Sequence, residues 1–197
     1  PGSSFKPLYF AEAIDKRLIT AGEIIRDEPT TFGDWSPNNY DYKFRGAISV
    51  RDTLGQSLNI PAVKVMEKLG IRTAIDTANR MGIGTLDPDK AESYGLSLAL
   101  GAGEVRLLDM TNAYAAFANA GEQTAATTIR KITSKYGETI YEHRPEFKKV
   151  QSAQAAYIIS DILSDTMAKL PTFGTSLTIT DRTVAVKTGS TDNNHDA

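Results

Sequence analysis

The chain has 197 residues, 41% of them hydrophobic and 23% charged, with a formal net charge of −2. That length can close a sizeable core in one ordinary domain, and the composition is that of a soluble globular chain rather than a disordered one. The charge balance offers nothing to a phosphate backbone, which excludes nucleic acid as a partner, and the lack of cysteine excludes disulfides and thiolate metal sites.

Residues 3–20 read as a helix, because Leu8, Ala11, Ile14 and Leu18 recur every three or four positions. Pro7 falls near its first turn, where a missing N–H costs least, and Ala21-Gly22 closes it. A short strand is expected at 23–27. Residues 29–46 form a long loop rich in Pro, Gly, Asn and aromatics, and a loop of that length inside a compact domain is functional or packs on something else. Ser49 suits an N-cap for a short helix ending at Leu54 or Gln56. Asn59 and Pro61 open a second helix, 61–69, which Gly70 closes.

A further helix is expected over 72–81, then a loop over 83–95. The apolar run Ser97-Leu98-Ala99-Leu100 leads to Gly101-Ala102-Gly103. Residues 104–118 read as a helix with Leu108, Met110, Ala113, Tyr114 and Phe117 as its core stripe, and Glu104 is assigned to its start. The alternation over 127–133, the turn at 135–138 and the return at 139–141 form a hairpin signal. A helix is expected over 151–170, a weaker extended stretch over 174–179, and the clearest strand over 183–191. No apolar run approaches the ~18 residues that a membrane span needs. The whole of 1–197 reads as a single domain.

Three short motifs occur in order: Ser3-x-x-Lys6, Ser57-x-Asn59 and Lys187-Thr188-Gly189. A serine and a lysine three positions apart share one helical face, and an unprotonated lysine there can take the proton of an attacking serine. Each motif alone has a plainer explanation. Ser3 could be an N-cap and Lys6 a surface side chain. Ser57 could end one helix and Asn59 could cap the next, and Lys187 could be a solvated strand lysine. Ser36-Pro37-Asn38 also matches the middle pattern, but Ser57 is preferred because a junction between packed helices holds a hydroxyl and an amide rigidly. Neither His143 nor His195 makes a Ser-His-Asp triad or a metal site, so no metal or cofactor is implied. Gly101-x-Gly103 lacks the strand–loop–helix context of a phosphate loop and reads as a turn.

The ordered set is a known signature of β-lactamases and penicillin-binding proteins, an association that spacing alone does not derive. The longer segments around it carry more. Gly2-Ser3-Ser4-Phe5-Lys6-Pro7, Asn39-Tyr40-Asp41, Gly46-Ala47-Ile48-Ser49-Val50-Arg51, Gln56-Ser57-Leu58-Asn59-Ile60-Pro61-Ala62-Val63, the Gly103-Glu104-Val105 to Asn119 stretch and Lys187-Thr188-Gly189-Ser190-Thr191 resemble the transpeptidase domain of class A penicillin-binding proteins over nearly the whole chain.

The resemblance implies an α+β fold, a penicillin-binding and β-lactamase-like transpeptidase fold with helices packed on an antiparallel sheet. It implies a D,D-transpeptidase that cross-links peptidoglycan stem peptides. Ser3 would attack the carbonyl between two D-alanines and form an acyl-enzyme, with Lys6 as general base. A free lysine has a pKa of about 10.4 and must be desolvated or set near another cation to act near neutral pH; Lys187, in the same cleft by resemblance, is such a cation. Ser57 would relay a proton to the leaving amine, and Asn59 would hold the substrate amide. Thr188 and Ser190 would bind the terminal carboxylate beside Lys187, with Gly189 letting the substrate lie along the strand. The N–H groups of Ser3 and Ser190 would form the oxyanion hole. β-Lactam antibiotics would acylate Ser3 in the same way. Asp41 and Glu104 are given structural roles.

In the resembled fold, strands precede the first motif and follow the third, and this chain carries neither set. The expectation is therefore a fragment, with the fold incomplete at both ends and a separate chain or segment completing the sheet. The expected setting is the extracytoplasmic face of the bacterial cell membrane, with the anchor outside this stretch. The alternatives are a D,D-carboxypeptidase or β-lactamase-type hydrolase, in which water is the acceptor, and a non-catalytic penicillin-binding module.

Overall fold

The computed structural model describes residues 1–191. His195 lies outside the described residues. The chain opens with a 3-10 turn, Gly2–Phe5, which runs directly into α1 (Lys6–Asp15). Then come β1 (Ile24–Asp27) and β2 (Gly46–Ser49). Four helices follow: α2 (Val50–Gly55), α3 (Ile60–Leu69), α4 (Ile71–Arg80) and the short α5 (Ala91–Tyr94). A 3-10 turn at Leu96–Leu100 leads to α6 (Leu107–Ala118). The strands β3 (Glu122–Gln123), β4 (Lys131–Thr133), β5 (Thr139–Glu142) and β6 (Lys148–Lys149) precede α7 (Ala153–Ser164) and α8 (Thr166–Phe173).

Helix α1 is the axis of the molecule. Every residue from Lys6 to Ala13 is buried, because α3, α4 and α7 pack around it. A helix enclosed on all sides needs an apolar surface all round, and Leu8, Tyr9, Phe10, Ala11 and Ala13 supply it. The exceptions are answered locally. Tyr9 Oη donates to Ala62 O at 3.3 Å and Ala99 O at 3.1 Å. Glu12 pairs with Arg80 and, at 3.5 Å, with Lys16. The remaining buried polar group in its first turn, Lys6, belongs to the site.

The strands form three separate antiparallel pairs among the described residues: β1–β2, β3–β6 and β4–β5. The hairpin at β4–β5 is the expected one. The pairings of β2 and β6 were not expected: β2 reads as the approach to a helix, and β6 is two lysines long. Ser49 caps α2 as expected, accepting from Asp52 N–H at 3.0 Å.

Several boundaries differ from the sequence reading. The first helix ends at Asp15, not near residue 20, because Arg17 takes a left-handed step (φ 56°) and Leu18 and Ile19 N–H both turn back to Ala13 O. The helix expected over 151–170 is two helices. Asp165 breaks the run in an extended conformation and caps α8 by accepting from Met167 and Ala168 N–H at 2.9 and 3.2 Å. Helix α6 starts at Leu107, so Glu104 lies before it and Asp109 occupies its first turn. Leu108 is 64% exposed rather than part of the core stripe. It sits about 200° around the helix from Met110.

The stretch at 174–179 is no strand: residues 174–177 are turn, and Thr178 N–H donates to Thr175 O at 3.0 Å. Residues 183–191 form no strand among the described residues. Their backbone instead meets the end of α7, where Val186 N–H donates to Leu163 O at 3.0 Å. A strand needs a partner ladder, and none of the described strands lies beside this segment.

Candidate active site

Ser3 lies in the 3-10 turn ahead of α1, and Lys6 is the first residue of α1. In a 3-10 turn positions i and i+3 eclipse, so the turn stacks the two side chains on one face. Ser3 is half-buried, and among the described residues its hydroxyl is committed to no hydrogen bond. The turn itself is held from three sides. Ser4 Oγ donates to Pro1 O at 2.7 Å, and Tyr114 Oη on α6 donates to Ser4 O at 2.7 Å. Behind the turn, a Cβ on Gly101 would sit 2.1 Å from Gly2 O. In front, a Cβ on Gly2 (φ +56°) would sit 2.7 Å from Ser190 N and 2.3 Å from Ser190 O. Three backbone segments abut here, and only glycine fits at two of them.

The Lys6 side chain is fully buried and reaches the junction between α2 and α3. Its Nζ donates to Ser57 O at 2.8 Å, Leu58 O at 3.1 Å and Asn59 Oδ1 at 2.9 Å, with Ser57 Oγ at 3.5 Å. The junction is shaped for this. Helix α2 ends with Leu58 N–H on Thr53 O and Ser57 N–H on Leu54 O, and Ser57 itself sits at φ 60°. A left-handed residue just past a helix end is usually glycine. Here a serine takes that conformation, and both its carbonyl and its hydroxyl meet lysine amines.

Lys187 completes the cluster. Its Nζ donates to Ser57 Oγ at 2.7 Å and Thr188 O at 2.9 Å. Residues 6, 57, 59 and 187, from three distant parts of the chain, thus meet around one hydroxyl. Thr188 is half-buried, Gly189 buried and Ser190 exposed. The competing Ser36-Pro37-Asn38 does not enter the cluster by its side chains: Ser36 Oγ pairs with Thr31 Oγ1 at 2.9 Å.

The two amines are electrostatically unusual. Burial brings Lys187 down to about 7. Burial, and next the charge of Lys187, hold Lys6 well below the usual lysine range. Both effects disfavour the ammonium form. The site therefore holds an amine whose neutral form is favoured by burial and by a neighbouring cation, one turn along from a serine hydroxyl that makes no hydrogen bond among the described residues.

Sequence reasoning gave Asn59 a capping role as its plain alternative. The structure gives it none: no N–H at the start of α3 bonds its side chain. Its Nδ2 donates to Asn38 O at 2.7 Å and its Oδ1 faces Lys6. The residues that sequence reasoning gave no part in the site are Asn38, Asn39, Tyr114, which it read as core, and Gly101, which it read as a turn. Asn39 and Gly101 were visible as part of longer segments, but nothing in their residue type marked them. Asp41 has its expected structural part: Arg45 grips both its oxygens at 2.8 Å and holds its carboxyl down to about 2. His143 takes no part in the site: its backbone N–H closes the hairpin on Arg130 O at 2.8 Å. Among the described residues no cluster could hold a metal ion, and no helix is long and apolar enough to cross a membrane.

The penicillin binding protein transpeptidase domain family matches residues 1–197. Penicillin-binding protein 1A of Aquifex aeolicus is 33% identical over 204 residues, covering 100% of this chain and 27% of that protein. The solved structure of penicillin-binding protein 1A from Haemophilus influenzae superposes with a TM-score of 0.74 at 26% identity, over 83% of this chain and 29% of that one. The imipenem acyl-enzyme of penicillin-binding protein A from M. tuberculosis shares the fold at a TM-score of 0.81 and 18% identity, over 98% of this chain and 48% of that one. The chain spans about a quarter of the length of the curated relatives it matches.

Proposed function

The chain belongs to the transpeptidase domain family of class A penicillin-binding proteins, and on that premise we propose that it carries the serine D,D-transpeptidase centre that cross-links peptidoglycan stem peptides. The observation that carries this reading is the meeting of Lys6 and Lys187 on Ser57, with Asn59 on the same Lys6 amine.

Acylation runs as follows. Ser3 Oγ attacks the carbonyl carbon between the two terminal D-alanines as its proton passes to the neutral Lys6 amine. The oxyanion that forms is stabilised by the N–H groups of Ser3 and Ser190, a pairing supported by the abutment of Gly2 on Ser190. The carbon–nitrogen bond then breaks, and the departing D-alanine amine takes a proton through Ser57 Oγ, which already touches Lys187 Nζ at 2.7 Å. Thr188, Ser190 and the Lys187 charge hold the terminal carboxylate. Asn59 Oδ1 has a second lone pair for a substrate N–H. Gly189 lets the peptide lie flat. An amine from a neighbouring stem peptide attacks the ester, the cross-link forms, and the serine recovers its proton. A β-lactam carbonyl meets the same hydroxyl, and ring opening leaves a stable ester. The reading places the chain on the outer face of the cell membrane, where its substrate is.

The test is labelling with a fluorescent penicillin. A stable label on the wild type that is lost in Ser3→Ala, with unchanged thermal stability, supports the transpeptidase. Rapid loss of label points to a hydrolase, and no label at all points to a non-catalytic module.

A further inference from the structure

The loop 28–45 between β1 and β2 carries a chain of hydrogen bonds into the site. Asp27, the last residue of β1, is fully buried. Its carboxylate accepts the Arg45 N–H at 2.8 Å and Nδ2 of Asn39 at 3.0 and 2.9 Å. The same Nδ2 donates to Lys43 O at 2.8 Å. The other end of the Asn39 amide, Oδ1, accepts the backbone N–H of Asn59 at 2.8 Å. Asn38 O takes Asn59 Nδ2 at 2.7 Å, which leaves Asn59 Oδ1 facing Lys6 Nζ at 2.9 Å.

Donor and acceptor chemistry makes this chain directional. A carboxylate and a carbonyl only accept, whereas a primary amide accepts at one end and donates at the other. The Asp27 carboxylate and the Lys43 carbonyl therefore hold the Asn39 NH2, and its oxygen must face Asn59. Turned over, Asn39 would set oxygen against oxygen at Asp27 and donor against donor at Asn59. The Asn38 carbonyl applies the same constraint to Asn59. Asn39 is 3% exposed, so water does not substitute for a lost partner, and each misplaced polar group carries its full desolvation cost.

We propose that Asp27 and Asn39 are positioning residues for the transpeptidase reaction: the buried carboxylate fixes which way the Asn39 amide points, and Asn39 with Asn38 fixes which end of Asn59 faces Lys6. This rests on the functional reading given above. The consequence falls on the amine. Lys6 Nζ meets three close acceptors, Ser57 O, Leu58 O and Asn59 Oδ1, one for each N–H of an ammonium. The neutral amine has two N–H groups and the lone pair that must accept the Ser3 proton. An Asn59 amide released from Asn38 can swing its NH2 onto that lone pair. It then removes an acceptor from the ammonium and occupies the base in one step. The ammonium becomes less favourable, which lowers the Lys6 pKa further.

The charged groups around the chain are Lys187 beside Lys6, Arg45 and Asp41 on the loop, and Lys64 on α3, whose Nζ binds Arg26 O at 2.8 Å.

The experiment measures the acylation rate of the intact protein by a fluorescent penicillin across the neutral pH range, with label stoichiometry as the count of folded sites. Asp27→Asn sets an NH2 against the Asn39 NH2. The expected result is acylation slower by about tenfold or more per labelled site, with the acid limb of the pH profile moved to lower pH. Asn39→Ser leaves Asp27 its Arg45 N–H but removes the whole amide, and with it the bonds to Asp27, Lys43 O and the Asn59 N–H, so it breaks the same chain one step nearer the site should Asp27→Asn fail to fold. An unchanged rate, or a slower rate with the acid limb unmoved, makes the pair merely structural and overturns the assignment. A wild-type protein that takes no label refutes the functional reading, and this inference with it.

Discussion

Replacing Gly101 with alanine asks whether the nucleophile turn is held in place by backbone contact from behind. Gly101 stands at φ +80°, and its Cβ would lie 2.1 Å from Gly2 O and 2.6 Å from Gly2 N. Ordinary contact is about 3.4 Å or more, so the turn or the Gly101 loop must give by roughly 1.3 Å. The left-handed conformation adds ~1–2 kcal/mol for any L side chain, and overpacking of this kind costs ~1–3 kcal/mol. A displacement of about 1 Å at a reacting group costs on the order of 100-fold in rate.

The control is Gly82→Ala. Gly82 has φ +89° but its Cβ would meet nothing closer than the Gln123 side chain at 3.5 Å. It therefore carries the backbone strain without the collision, and away from the site. Thermal denaturation and the rate of labelling by a fluorescent penicillin are read on both variants. Gly82→Ala should lose ~1–2 kcal/mol and acylate at the wild-type rate. Gly101→Ala should lose more stability and acylate about 100-fold more slowly per folded molecule. Equal losses of stability in the two variants, with wild-type acylation in both, would refute the claim that Gly101 sets the position of Ser3.

Ser57→Gly should separate activity from stability. It relieves a left-handed serine at φ 60°, worth ~1–2 kcal/mol, against ~0.5–1 kcal/mol of added backbone freedom. It also removes the hydroxyl that joins the two lysines. The melting temperature should hold or rise while acylation falls about 100-fold; a marked fall in melting temperature would mean the hydroxyl is chiefly structural. Lys187→Gln should move the acid limb of acylation to higher pH, because the like charge that lowers Lys6 is gone; a limb that stays or falls refutes the coupling. In the wild type that limb belongs to the pair. The same variant should flatten a rise of stability with pH. Lys187 sits at about 7 when folded and about 10.4 when unfolded, so the unfolded chain binds more protons between those values and stability climbs through that window.

How far the sequence could be read depended on how far apart the determinants lie. Helices α3, α4 and α7 each begin within two residues of where the apolar period and the flanking Pro and Gly place them, because a periodic stripe and a breaker residue are local facts. The cluster of Lys6, Ser57, Asn59 and Lys187 was legible only as an ordered set, since each motif alone has a plainer explanation. What escaped were features with no local signature. A left-handed serine at a helix end looks like any serine. The split at Asp165 escaped because the apolar stripe continues across it, while nothing in residue type separates the carboxylate that caps α8 from that of Asp161.

The third motif shows the same limit most sharply. Residues 183–191 alternate and are rich in Val and Thr, which signals a pleated, half-buried surface, yet they form no ladder among the described residues. Propensity describes the side chains a strand can carry, whereas a strand exists only against a neighbour's N–H and C=O groups. What fixes this segment is instead chemistry that strand propensity does not encode. Val186 N–H meets the end of α7, and Lys187 meets a hydroxyl 130 residues away in sequence. Ser190 lies against a glycine that has no side chain to keep it off. Among the described residues these contacts, with the α2–α3 junction, are what bring Lys187 to Ser57.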